Sequence, residues 1–63
     1  MKPTYLEGVK ECESLYQSGL TFIELRSFIE KESSILDYRW SEWVLGFLDG
    51  IMHFEMLEGL YEI

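Results

Sequence analysis

The chain has almost nothing with which to staple or chelate. Its 63 residues include one cysteine, Cys12, one histidine, His53, and one proline, Pro3; alanine and asparagine are absent. A lone cysteine excludes an intramolecular disulfide, and there is no CxxC pair or Cys/His cluster with zinc-site spacing. No metal and no cofactor is therefore expected. A free thiol fits a reducing compartment, so the expected location is cytoplasmic. Cations are scarce too. Five Lys or Arg stand against twelve Asp or Glu, a formal charge of -7. That sign opposes direct binding to phosphate backbones. The start, Met1-Lys2-Pro3-Thr4, lacks the apolar core of a signal peptide. The most hydrophobic stretch, Trp40 to Leu60, is interrupted by Glu42, Asp49, His53, Glu55 and Glu58. It is too polar to be a membrane span.

Apolar residues are plentiful, at 48%, with 16% aromatic. High charge without low hydrophobicity predicts a folded chain. The length predicts one small domain over residues 1–63. A domain this small buries only roughly 60% of the surface its unfolded chain exposes. Without disulfide or metal, rich packing or oligomerisation must make up the difference.

The punctuation is helical and predicts an all-α, three-helix domain. Thr4 and Glu7 have capping-box spacing and start a first helix over 5–18. Tyr5, Val9, Cys12 and Tyr16 lie on one of its faces, with Glu7, Lys10, Glu11, Ser14 and Ser18 opposite. Gly19 ends it. Thr21 and Glu24 form a second box, and Leu20 and Leu25 have staple spacing. The second helix, 22–32, presents Phe22, Leu25, Phe28 and Ile29, with Arg26 and Glu30 one turn apart. Ile23 falls on its polar side without explanation. The short Gly19-Leu20 junction predicts an antiparallel hairpin. A break is expected in Ser33-Ser34-Ile35-Leu36-Asp37, with Ser34 or Asp37 capping a long third helix over about 38–58. Gly59 stops it.

The third helix is apolar on two sides. Trp40, Trp43, Phe47, Ile51, Phe54 and Leu57 cluster on one and should meet the hairpin. Leu45, Leu48, Met52 and Met56 form a second stripe, roughly opposite. A 63-residue chain has little with which to cover both. The second stripe is expected to be a dimer or partner interface; the alternative is a core straddled by the first two helices. Gly46 and Gly50 sit four apart and predict close approach of another helix, since glycine inside a helix otherwise costs about 1 kcal/mol.

No convergent chemistry is legible. Glu42, Asp49 and His53 share a stripe of one helix, which supplies only part of a metal shell, and an Asp49–His53 contact is the expected use. Cys12 lies on an apolar face, where a thiol is packed and inert. GxGxxG, P-loop, HExxH and GxSxG strings are absent, so no enzyme is expected. The acidic surface, with Glu7, Glu11, Glu30, Glu42 and Asp49, selects for a partner protein with a basic surface. In length and charge the chain resembles the small accessory proteins of phages and mobile elements, although no family motif carries the likeness. The expectation is a homodimeric, non-enzymatic module that inhibits or modulates a host protein, such as a nucleic-acid-handling enzyme. It would do so by occlusion and acidic competition. The other expectation is an assembly subunit that docks through the Leu45–Met56 stripe into a larger complex.

Overall fold

The computed structural model describes residues 4–35 and 41–59. These form three helices, α1 (Tyr5–Gln17), α2 (Phe22–Ile35) and α3 (Ser41–Leu57). Both capping boxes form. The Thr4 hydroxyl accepts from the Glu7 amide while the Glu7 carboxylate accepts from the Thr4 amide, each at 3.2 Å. Thr21 and Glu24 repeat the exchange at 2.9 and 3.2 Å. Gly19 takes φ 106°, and the amides of Gly19 and Leu20 reach back to the carbonyls of Tyr16 and Leu15. That is a Schellman stop, and only a residue without Cβ enters it without strain.

α2 is longer than the expected 22–32. Ser33 and Ser34 donate their hydroxyls to the carbonyls of Glu30 and Lys31, at 3.0 and 2.7 Å. With their hydroxyls bonded back into the preceding turn, both lie inside the helix, which runs on to Ile35. Ser34 is thus no cap for α3. The start of the third helix at 38, the Asp37 cap and Trp40 lie outside the described residues.

Contacts along the chain give the topology. Tyr5 lies against Gly46, Cys12 against Gly50, and Tyr16 against Phe54 and Glu58. The numbers rise together, so α1 and α3 run in the same direction. Arg26 meets Glu55 and Phe28 meets Phe47, so α2 runs the opposite way. α1 packs chiefly on α3, α2 more lightly on α3, and the backbones of α1 and α2 approach each other least. The expected hairpin is therefore held together by the third helix.

The α1–α3 crossing is built from small residues on both helices. Gly8 and Cys12 sit one turn apart on α1, and Gly46 and Gly50 one turn apart on α3. All four are buried. A Cβ on Gly8 would stand 2.0 Å from the Trp43 carbonyl oxygen, and one on Gly46 would stand 2.0 Å from the Tyr5 carbonyl oxygen. The hydrogens in those positions point at the facing carbonyls, a reciprocal Cα–H···O contact between helices. Sequence reading found Gly46 and Gly50 but not their counterpart Gly8.

The core is Cys12, Leu25, Ile29, Phe47 and Ile51. Two aromatic runs flank it. Tyr16 stacks between Phe22 and Phe54, with centroids 5.6 and 4.2 Å away. Phe47 lies between Phe28 and Trp43, at 5.4 and 5.7 Å. Leu57, expected on the covered side of α3, is 69% exposed in its last turn. Ile23 remains 78% exposed, and nothing in the described residues explains it.

Candidate interaction surface

α1 and α2 both rest on the side of α3 that carries Phe47 and Ile51. Consequently, Leu45, Leu48, Met52 and Met56 are left 55, 41, 38 and 53% exposed. They are not straddled by the other two helices. The row follows helical spacing of three, four and four, so it lies on one face of a rigid element.

Its two flanks differ. On the side of α2, Arg26 forms an ion pair with Glu55 at 2.6 Å. The sequence places Glu30 one turn from Arg26, and this link across helices is a further contact of the same side chain. Arg26, Ile29, Glu30, Ser33, Val44 and Leu48 line a groove of about 240 Å³ between α2 and α3. On the side of α1, Asp49 accepts a hydrogen bond from the Tyr5 hydroxyl. That bond, aided by the carboxylate charge, raises the Tyr5 phenol above its ordinary range. Tyr16 makes the equivalent bond to Glu58, so each end of α1 is tied to a carboxylate of α3.

Glu7, Glu11, Glu30, Glu42 and Asp49 are all exposed. They are spread over three helices. Glu7 also serves its cap, as its spacing from Thr4 predicts, and Asp49 its tyrosine, a role that its place in the sequence does not show. Asp49 and His53 line an open cleft of about 410 Å³ with Tyr5, Val9, Glu13, Gly50 and Phe54. Among the described residues no three of His, Cys, Asp and Glu converge as metal ligands. Nor is any described helix long and apolar enough to cross a membrane.

Cys12 is fully buried, and burial, with the Glu13 charge adding, pushes its thiol up to about 11. The thiolate is the reactive form. A disulfide-exchange reagent at pH 8 is therefore expected to label the native protein far more slowly than the protein in denaturant. Equal rates would contradict the burial. The linkage has a definite sign. A thiol whose folded pKa is raised contributes stability below its unfolded value, and that contribution is lost as pH rises from about 9 through about 11. The melting temperature should fall across that window.

Comparison of the chain with protein-family models, with curated proteins and with solved structures finds no match.

Proposed function

We propose that this chain is a non-enzymatic protein-binding module. It pairs with a second copy through Leu45, Leu48, Met52 and Met56. The pair acts on a protein partner that has a basic surface, inhibiting or modulating it by occlusion and by acidic competition, in the manner of a small accessory protein. The observation that carries the reading is the apolar row on α3 that α1 and α2 leave partly exposed. A contiguous row of four large apolar side chains is a cost to a chain that stays alone in water. Methionine, unbranched and polarisable, suits a surface that must fit another. The charge of -7 supports a basic partner and steers its approach.

Sedimentation equilibrium tests the self-association. The wild type is expected to be a dimer at micromolar concentration, and Leu48→Glu with Met52→Glu a folded monomer. Salt separates the two contacts. Dimerisation brings together two chains of like charge, so added salt should strengthen it, whereas capture of a basic partner should weaken. A wild type that stays monomeric at high concentration would remove the dimer. It would favour the second reading, in which the same row docks a subunit into a larger assembly.

A further inference from the structure

The apolar row of α3 is also where an oxidant meets sulfur. Of the three methionines in the chain, Met52 and Met56 stand one turn apart in that row, 38 and 53% exposed. The one thiol does not compete with them. Cys12 is fully buried beside Gly50, and burial, pushing its thiol up to about 11, keeps it from the reactive thiolate form. A thioether needs no deprotonation, only access. Sensitivity to oxidants is thus placed on the surface of this chain and withheld from its core.

A peroxide supplies the chemistry. A lone pair of the methionine Sδ attacks one peroxide oxygen, and the S–O bond forms as the O–O bond breaks. The departing hydroxide takes the proton left on the transferred oxygen and leaves as water. The sulfur is oxidised to a sulfoxide and the peroxide is reduced. A flexible apolar side chain thereby gains a strong hydrogen-bond acceptor. Leu45, Leu48 and the methionines have no side-chain N–H or O–H to offer it. A second copy would bring the same row and the same lack. A sulfoxide oxygen enclosed between two such rows has no donor in either, whereas water satisfies it on the free chain. We propose that Met52 and Met56 are an oxidation site through which a peroxide switches off association of the α3 row; the switch rests on the self-association proposed above.

Treatment with hydrogen peroxide, read by peptide mass spectrometry and by sedimentation, tests both parts. Met52 and Met56 should each gain one oxygen atom while Cys12 stays a thiol. The dissociation constant of the dimer should rise at least about tenfold. Methionine sulfoxide reductases should restore the dimer. Oxidation should also slow as protein concentration rises, because a pair that encloses the row shields it. The double variant Met52→Leu with Met56→Leu keeps an apolar row, Met1 and Cys12, and should remain a dimer in peroxide. Cys12 oxidised ahead of the two methionines would overturn the site. A dimer that persists with both sulfoxides in place, or a leucine variant that dissociates in peroxide, would overturn the switch. A wild type already monomeric before treatment would overturn the self-association and the switch with it, leaving the oxidation site to be judged by the mass spectra.

Discussion

Phe47→Ala is expected to leave most of the chain unfolded at 25 °C. Phe47 is the largest of the fully buried side chains, and its ring lies between Phe28 and Trp43, which brings α2 and α3 together. Truncating a buried Phe to Ala costs about 3–5 kcal/mol, part lost transfer energy and part cavity. A core in a chain of this size rarely supplies more than about 3–5 kcal/mol in total. The substitution therefore consumes the whole margin. Far-UV circular dichroism at low protein concentration should show most of the helical signal lost, without a cooperative urea transition. Low concentration matters, because association would add stability by mass action. Native helicity with a normal transition would mean that the Phe28–Phe47–Trp43 run is not what joins α2 to α3.

Gly46→Ala is expected to lower the melting temperature by about 10 °C. On an isolated helix this change stabilises by about 1 kcal/mol. Here the new methyl would lie 2.0 Å from the Tyr5 carbonyl oxygen, a backbone atom that moves only if α1 moves. Forcing packed elements apart costs typically about 1–3 kcal/mol, and more where backbone must shift. The net loss is about 2 kcal/mol, and each kcal/mol moves the midpoint of a domain this small by roughly 4–8 °C. Gly8→Ala, facing the Trp43 carbonyl, should behave alike. Gly50→Ala meets the Cys12 side chain at 2.9 Å and should cost less. The melting series should therefore rank Gly8 and Gly46 below Gly50. A stabilised Gly46→Ala would mean that the helices do not approach at this point.

The parts of the fold that were legible are those decided within one or two turns. Thr4 with Glu7 and Thr21 with Glu24 announce helix starts because the bonds they make are local. Gly19 announces a stop for the same reason. The exposed row of α3 could be read from its period, but whether anything covers it depends on where α1 and α2 settle. Gly8 was invisible because its importance lies in the carbonyl facing it from a residue far along the chain. Ser33 and Ser34 were misread because a serine that caps one helix and a serine that bonds back into another look identical in sequence. Arg26 also forms an ion pair with Glu55 on another helix, a contact that local spacing does not announce.

The dominance of the α1–α3 contact has a consequence for synthesis of the chain. α1 leaves the ribosome before α3, the helix on which it chiefly packs. The intervening α2 meets α1 more lightly, with Phe22 stacked on Tyr16, and leaves Gly8 for α3 to cover. Since a chain emerges from its N-terminus onward, α1 must wait with its glycine face uncovered until α3 is outside the exit tunnel. Folding is then deferred until α3 has emerged, and the core closes by joining α1 to a helix about 40 residues further on.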